Sequence, residues 1–282
     1  MRTRLIAVAA ILITAFGSMA FASEPKPWGL GLPTPASGTA ERIDAFHDLL
    51  LWIITVITIF VVALLGYVCV RFRESRNPTP SRTTHNTVVE VLWTVIPVLI
   101  LVAIAIPSFR LMYYADRVED ADMTLKVVGH QWYWSYEYPD HGNFTFDANM
   151  IADADLKPGQ HRLMETDNRV ILPVGRKVRL LITATDVLHS WSISDFGVRL
   201  DAVPGRLNET WVEINKPGLY FGFCSELCGV NHAYMPITVE AVPPEQFDVW
   251  VKEAQAKFAK ADTPAAPIVA STLRVAQTES GN

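Results

Sequence analysis

The sequence predicts a membrane-anchored all-β protein, in which a hairpin of two transmembrane helices precedes a Greek-key β-sandwich and a short C-terminal helix. Two uncharged apolar runs predict the hairpin, because each is long enough to cross a hydrocarbon core of about 30 Å. Between residues 123 and 242, short β-branched and aromatic runs alternate with turn residues, as is typical of a sandwich. Half of the 282 residues are hydrophobic and only 19% are charged, which also favours a membrane protein, and the net charge of −5 does not indicate nucleic-acid binding.

The first 22 residues are predicted to be a secretory signal peptide. Arg2 and Arg4 precede a short apolar run, and Ala20-Phe21-Ala22 fits the small-x-small pattern found before a cleavage site. An uncleaved anchor is the alternative. Residues 23–46 are rich in proline and glycine, and they are predicted to form an irregular periplasmic segment.

The hairpin is assigned to residues 47–115, with helices at about 48–71 and 90–111. Its uncharged runs are Leu49–Val70 and Val91–Phe109. Between them, and apart from Glu90 at the start of the second predicted helix, lie four arginines (Arg71, Arg73, Arg76 and Arg82) and one glutamate, Glu74, so the positive-inside rule predicts that this loop is cytoplasmic. The chain is therefore expected to cross a bacterial inner membrane twice, with both termini and the β domain on the periplasmic side.

The β domain is predicted to cover residues 116–243. Apolar residues at helical spacing then predict a C-terminal helix over residues 244–260, and the Ala-, Pro-, Thr- and Ser-rich residues 261–282 are predicted to be disordered. Alternation along the aromatic run should bury Trp132, Trp134, Tyr136 and Tyr138 on one face. Strands are expected at Thr124–Gly129, Trp132–Tyr138, Lys177–Thr185, Thr210–Ile214, Leu219–Phe223 and Ile237–Val242.

Five residues form a pattern typical of a metal site. Cys224 and Cys228 are four residues apart, His232 and Met235 follow them closely, and His189 lies 35 residues upstream at the end of a strand pattern. Thiolate, imidazole and thioether ligands are soft, and such a set favours copper in electron transfer. Two cysteines in one tight loop can place two sulfurs between two metal ions, so the pattern predicts a binuclear copper site.

Two other interpretations of the cysteine pair are open on this pattern. The cysteines could form a disulfide in an oxidising compartment, or they could bind zinc together with the two histidines. Zinc sites rarely include methionine, and a disulfide leaves the histidines and Met235 unexplained. The third cysteine, Cys69, lies alone in the first apolar run and is interpreted as a small buried hydrophobic residue.

Residues 224–235, with the sequence CSELCGVNHAYM, resemble the ligand loop of the binuclear copper (CuA) domain in the cytochrome c oxidase subunit II family. Three further blocks resemble that family in the same order: the aromatic segment 129–138, the segment 186–191 and the segment 201–208. The resemblance covers about residues 42–255, and no ligand position departs from the family pattern. It implies a cupredoxin-like sandwich.

The resemblance also implies a ligand set. Cys224 and Cys228 would bridge both coppers, and His189 and Met235 would complete one of them. His232 and the backbone carbonyl of Glu226 would complete the other. The Glu226 side chain would face a magnesium or manganese site shared with subunit I.

Further roles follow from the same resemblance. Trp132 would accept electrons from cytochrome c, and Glu90 would mark the entrance of a proton pathway, although a carboxylate there could equally snorkel to the interface. Residues 116–240 contain seven more acidic than basic residues, which favours a basic partner, although an ordinary solvated surface is the alternative for each acid. The implied docking acids are Glu137, Asp140, Asp167 and Asp186.

The implied function is that of the electron-accepting subunit of cytochrome c oxidase. It would take electrons from cytochrome c at the copper centre and pass them to haem in subunit I, where O2 is reduced to water with proton pumping. Subunit III would be a further neighbour. The alternative function is a periplasmic copper-binding or copper-delivery protein, which would need exposed, exchangeable ligands. The family's quinol-oxidising relatives lack the copper ligands that this sequence carries.

Overall fold

The structure is a computed structural model that describes residues 28–116 and 120–258. The predicted signal peptide, residues 1–22, and the predicted disordered tail, residues 261–282, lie outside the described residues. The described residues form a helical hairpin, a sandwich of two β-sheets and a C-terminal helix, so the predicted fold class is confirmed.

The hairpin consists of helix α1 (Gly38–Arg71) and helix α2 (Thr87–Asp116), which contact each other. Their most apolar windows have mean hydropathies of 2.9 and 2.6, and both helices are long enough to cross a membrane. Their large apolar side chains point outward, as lipid or neighbouring helices would require.

Helix α1 begins ten residues before its predicted start, and the prediction was therefore wrong there. The residues from Gly38 to Asp48 include four charges, so hydropathy alone does not indicate a helix. The buried Ser37 is the N-cap: its hydroxyl accepts a hydrogen bond from the Ala40 N–H (3.0 Å) and donates one to the carbonyl of Phe196 (2.7 Å). Helix α2 is also longer at both ends than predicted.

Two five-stranded sheets form the sandwich. The first has the strand order β3-β2-β1-β5-β8, and the second has the order β4-β10-β9-β6-β7. Two neighbouring pairs are parallel, β1 with β5 and β4 with β10, and the other pairs are antiparallel. The strands are β1 (Met123–His130), β2 (Tyr133–Tyr138), β3 (Phe144–Ala148), β4 (Val170–Pro173), β5 (Lys177–Ala184), β6 (His189–Ile193), β7 (Val198–Ala202), β8 (Asn208–Glu213), β9 (Gly218–Cys224) and β10 (Pro236–Val242).

Four of these strands, β3, β4, β6 and β7, were not among those predicted. Each has only four or five residues, and every residue of β4 and β6 is buried. A strand that is covered on both faces has no polar side to alternate with its apolar side, so the period-two signal is missing.

The aromatic side chains of β2 occupy the core between the sheets. Trp134, Tyr136 and Tyr138 are fully buried, which confirms the predicted alternation for these three residues. The Tyr138 hydroxyl donates to the Ile171 carbonyl (3.0 Å), and the Trp191 indole donates to the Tyr136 hydroxyl (3.2 Å). Their polar groups therefore keep hydrogen-bond partners inside the core.

Helix α3 (Pro244–Lys257) covers one end of this aromatic cluster. The Trp250 ring lies 5.3 Å from the Tyr138 ring and 5.8 Å from the Phe144 ring, measured between centroids. Its N-terminal proline suits the first helical turn, where a missing N–H has no cost.

Strand β8 joins the sandwich to the hairpin. The Trp211 indole donates to the Tyr114 carbonyl at the end of α2 (3.0 Å), and the two rings pack edge to face. The guanidinium of Arg42 on α1 lies 3.9 Å from the centre of the Tyr114 ring. Trp211 thus holds the end of α2 on the sandwich, and Arg42 joins α1 to the same tyrosine.

Gly222 on β9 is required by close strand packing. A Cβ at this position would collide with the carbonyl oxygen of Ser192 on β6 and lie 2.7 Å from a side-chain carbon of Ile193. We expect Gly222→Ala to lower the free energy of unfolding by about 1–3 kcal/mol, the usual cost of overpacking. Thermal unfolding of the full chain in detergent, followed by circular dichroism, measures this.

Gly66→Ala provides the matched control, because a Cβ there meets open space. Equal midpoints for the two variants would contradict the close contact between β6 and β9.

Candidate metal centre

The two cysteines lie at the end of β9 and in the loop that follows it. Cys224 is the last residue of β9 and is paired with Trp191 on β6. Both cysteine side chains are buried, with 3% exposure each, and their sulfurs are 3.9 Å apart. A disulfide bond is about 2.0 Å long, so these are two free thiols in close proximity.

Every residue of the predicted ligand set lies beside this pair. The Nδ1 atom of His189 is 3.9 Å from the Cys224 sulfur, and the Nδ1 atom of His232 is 3.5 Å from the Cys228 sulfur. The Met235 sulfur is 3.5 Å from the Cys228 sulfur. The backbone carbonyl oxygen of Glu226 is 3.3 Å from the Cys224 sulfur.

His189 reaches the centre in a different way from the one predicted. It is the first residue of β6 and does not extend the preceding strand, β5, which ends at Ala184. The hydrogen bond from the Ser225 N–H to the Ser190 carbonyl (2.9 Å) continues the contact between β6 and the ligand loop. Two separate segments therefore supply the ligands: the start of β6 and the continuous residues 224–235.

The His189 ring is fully buried and tightly packed. The backbone of Gly129 lies against it, so closely that a Cβ on Gly129 would be 3.0 Å from the ring. The Trp134 ring packs against it edge to face, with a centroid distance of 5.9 Å. Its outer nitrogen, Nε2, lies 2.9 Å from a carboxylate oxygen of Asp186.

The pKa values of the two thiols are displaced in opposite directions. Burial raises the pKa of Cys224, but hydrogen bonding by the His189 ring and by the Ser190 and Glu226 backbone outweighs burial and lowers the pKa to about 7. Burial and then the negative charge of Cys224 raise the pKa of Cys228 to about 12. Two thiolates this close repel each other, so a bound cation is needed for both to be ionised together.

The donor atoms fit a thiophilic metal. The ligand atoms of His189, Cys224 and Cys228 lie within 4.8 Å of one another. Metal–thiolate bonds are about 2.3 Å long, and twice that length exceeds the 3.9 Å between the sulfurs, so one ion can contact both. The thioether of Met235 adds a third soft sulfur to the two thiolates, which suits copper better than zinc.

Trp132 lies in the turn between β1 and β2, although the sequence predicted it within a strand. Its half-buried indole donates a hydrogen bond to the Cys228 carbonyl (3.2 Å). The side-chain amide of Gln131 donates to the same carbonyl (2.7 Å). The turn is thus attached directly to the ligand loop.

The four predicted docking acids do not lie together. Asp186 and Asp167 lie towards the end of the sandwich that carries the metal centre, and Glu137 and Asp140 lie at the other end. Along β2, Glu137 is four residues from Tyr133, about 13 Å at roughly 3.3 Å per residue. Each acid has a local partner: Lys126 for Glu137, the Thr124 N–H for Asp140, the Asn149 and Asn168 N–H groups for Asp167, and His189, Val187 and Gln131 for Asp186.

Two predicted carboxylates lie outside the cysteine pair's immediate surroundings. Glu90 accepts a hydrogen bond from the Asn86 N–H (3.2 Å) at the start of α2, while Asn86 accepts from two N–H groups of the first turn. The half-exposed Glu226 carboxylate has no hydrogen-bond or ion-pair partner within residues 28–116 and 120–258.

The contacts of Asp186 with His189 and of Gln131 with the ligand loop were not predicted from the sequence. Only their proximity in the chain to His189 and Trp132 could have suggested them.

Comparison with known proteins covers both parts of the chain. The family described as cytochrome C oxidase subunit II, transmembrane domain, matches residues 25–111, and cytochrome C oxidase subunit II, periplasmic domain, matches residues 123–242. A probable cytochrome c oxidase subunit 2 of Rickettsia bellii is 52% identical over 239 residues, which are 85% of this chain and 89% of that protein. The chain belongs to the cytochrome c oxidase subunit II family.

Other members of the subunit II family are nearly as similar. Cytochrome c oxidase subunit 2 of Phytophthora megasperma is 47% identical over 237 residues, covering 82% of this chain and 89% of that protein. The crystal structure of the periplasmic domain of subunit II of cytochrome oxidase of Bradyrhizobium japonicum is 47% identical in sequence and superposes with a TM-score of 0.47. The matched region is 50% of this chain and 99% of that chain. The two family matches and the subunit II sequences confirm, at the level of the family, the resemblance predicted from the ligand loop.

Gly129→Ala tests the packing that holds His189. The added methyl group would lie 3.0 Å from the imidazole, which has Trp134 close by, so the ring has to move. We expect about tenfold weaker copper binding, within the range found when a ligand's supporting contacts are lost. Chelator competition on the full chain measures the affinity.

The control is again Gly66→Ala, which should bind copper as the unaltered chain does. A folded Gly129→Ala chain with unaltered affinity would show that the position of His189 does not depend on this contact.

Proposed function

We propose that this subunit takes electrons from cytochrome c at a binuclear copper centre and passes them to haem in subunit I, where O2 is reduced to water and protons are pumped. The observation that carries the proposal is the pair of free cysteine sulfurs, 3.9 Å apart, which an imidazole nitrogen approaches on each side. In a subunit II chain this arrangement suits a two-copper centre better than a single-ion site.

In this proposal the ligands are divided between two coppers. Cys224 and Cys228 would hold both ions, and His189 and Met235 would be the further ligands of one copper. His232 and the Glu226 carbonyl would be the further ligands of the other copper. Bound copper supplies a carrier that gains and loses one electron. The protein's part is to hold buried donors on β6, β9 and the loop between β9 and β10, so that little rearrangement accompanies each transfer.

Trp132 is the proposed residue through which electrons enter. Its ring reaches the surface and its N–H contacts the Cys228 carbonyl, which supports a short route from the surface to a ligand. Leu227 and Val230 in the same loop are 76% and 82% exposed. They offer apolar contact area for a redox partner beside the indole.

The partner proposed for this surface is a basic cytochrome c. The excess of acids in the domain supports this choice, because opposite charge steers encounters at rates that fall with salt. Asp167 and Asp186, near the centre, would act at short range, and Glu137 and Asp140 at longer range.

A cleft on the sandwich is the proposed side of contact with subunit I. It has a volume of about 470 Å³ and is lined by Arg199, Phe223, Cys224, Ser225, His232 and Ala233. Phe223 is 59% exposed, as expected of a side chain that a neighbouring subunit covers. Near this cleft, the Glu226 carboxylate, which has no partner among the described residues, is the proposed ligand for magnesium or manganese shared with subunit I.

The membrane arrangement is also part of the proposal. Four arginines in and beside the loop between α1 and α2 favour a cytoplasmic loop, with both termini and the copper domain in the periplasm of a bacterium. Helices of subunit I, and of subunit III further away, would cover the outward-facing apolar side chains of the hairpin. Glu90, at the cytoplasmic end of α2, is the proposed entrance of a proton pathway.

The first test is the copper content of the full chain in detergent. We expect two coppers per chain and a seven-line hyperfine pattern in the EPR spectrum, because one unpaired electron would be shared by two equivalent copper nuclei. Cys228→Ser should abolish that pattern, since it removes one bridging sulfur. One copper with a four-line pattern, or no copper and a disulfide between Cys224 and Cys228, would contradict the two-copper assignment.

Cys69→Ser provides the matched control. Cys69 is a free cysteine on α1, away from the sandwich, so this variant should keep both coppers and the seven-line spectrum.

A second test addresses Trp132. We expect Trp132→Phe to slow oxidation of reduced cytochrome c by the whole oxidase about tenfold, equivalent to ~1.4 kcal/mol of barrier, because the contact with the Cys228 carbonyl is lost. Stopped-flow absorbance measures the rate, and EPR checks that the copper centre is unchanged.

Trp250→Phe is the matched control. Trp250 is also a half-buried tryptophan, but it lies on α3 and packs on Tyr138 and Phe144. Equal rates for the two variants would rule out a special role for Trp132.

A further inference from the structure

We propose that Asp186 is a positioning residue of the copper centre, which acts through His189 in addition to contributing charge to the docking surface. The inference rests on the proposed function, because it requires that His189 binds copper.

Packing alone does not decide which nitrogen of His189 faces the cysteines. Gly129 lies against the ring and Trp134 packs edge to face with it, and both are apolar contacts. A half-turn about the Cβ–Cγ bond would exchange Nδ1 with a ring carbon while leaving the outline of the ring almost unchanged. A polar contact is needed to select one orientation.

Asp186 makes that contact. One carboxylate oxygen lies 2.9 Å from Nε2 of His189, and in this orientation Nδ1 points to the Cys224 sulfur. An ionised carboxylate can only accept, so the ring proton resides on Nε2 and the lone pair of Nδ1 is left for a metal. Histidine ligands in metal sites commonly donate their second N–H to a carboxylate, which fixes the tautomer and makes the ligand more basic.

The carboxylate is itself held in place by the backbone. It accepts hydrogen bonds from the Val187 N–H on one oxygen and from the Gln131 N–H on the other, both at 2.7 Å. These donors belong to two different loops, so the carboxylate cannot rotate away from the histidine without breaking both bonds. A side chain that served only to attract a soluble partner would not need such restraint.

Asp186 also connects the ligand to the turn that carries Trp132. Gln131, the residue before Trp132, donates a hydrogen bond from its backbone N–H to the Asp186 carboxylate. The side-chain amide of Gln131 donates a second hydrogen bond to the Cys228 carbonyl. A single carboxylate therefore restrains both a copper ligand and the proposed route of electrons to the centre.

His232, the other imidazole of the site, is not supported in this way. Its Nδ1 faces the Cys228 sulfur, but in the described part of the chain no residue hydrogen-bonds to its Nε2, and its ring is partly exposed. Removal of the Asp186 carboxylate should consequently perturb the His189 side of the centre and make the two coppers less alike.

The test uses the full chain in detergent, loaded with copper, and the variants Asp186→Ala and Asp186→Asn. We expect Asp186→Ala to lower copper affinity about 10–100-fold, as loss of a ligand's hydrogen-bond partner commonly does. Asp186→Asn keeps the size and one acceptor, so its affinity should fall less. Both variants should lose the equal sharing of the electron between two coppers, seen as a distorted seven-line EPR pattern, and shift the reduction potential.

Asp201→Asn provides the matched control. Asp201 is an exposed acid on β7, where it lies opposite Ser190, the neighbour of His189. Its carboxylate has no hydrogen-bond or ion-pair partner among the described residues. Because it removes the same charge near the centre without touching a ligand, its EPR spectrum and copper affinity should match those of the unaltered chain.

The outcomes separate this inference from the proposed function. If the Asp186 variants match Asp201→Asn in copper affinity, EPR spectrum and potential, the inference is overturned, even if they weaken the salt dependence of cytochrome c oxidation. In that case Asp186 is a docking acid alone and the copper function stands. An unaltered chain that binds no copper would overturn the proposed function and this inference with it.

Discussion

The metal centre depends on the contact between strands β6 and β9. Their antiparallel pairing is short, with Trp191 opposite Cys224 and Ser192 opposite Phe223, yet it brings together His189 and Cys224, which are 35 residues apart in the chain. The strands approach so closely that Gly222 has no room for a side chain. The ligand loop then closes over the same strand through the hydrogen bond from Ser225 to Ser190. The cysteine pair owes its position to this backbone pairing.

Electrostatics make the assembled site receptive to a cation. Two buried thiols 3.9 Å apart cannot both ionise without a bound cation, because the two negative charges repel each other. The pKa of Cys224 is accordingly lowered and that of Cys228 is raised. Asp186 places a further acceptor behind His189, which directs the neutral nitrogen of the ring inward. The negative charge therefore lies around and within the site, where it favours a bound metal and, further out, a basic protein partner.

The hairpin sets where this centre stands relative to the membrane. Ser37 caps α1 and is hydrogen-bonded to the sandwich, and Trp211 holds the end of α2. Because both helices are fastened on the sandwich side that includes β8, the sandwich is restrained as it leaves the membrane surface. A fixed height above the bilayer suits the proposed transfer of electrons to a neighbouring subunit.

The sequence by itself determined the parts whose signals are local. Uncharged runs of sufficient length predict the hairpin, alternation predicts the buried face of β2, and soft ligands at close spacing predict the copper site. Tertiary structure alone decided that α1 starts at Gly38, that His189 opens a strand buried on both faces, that Trp132 sits in a turn and that Asp186 holds His189. These features arise from contacts with distant segments or from complete burial, which removes the polar face that a sequence pattern needs.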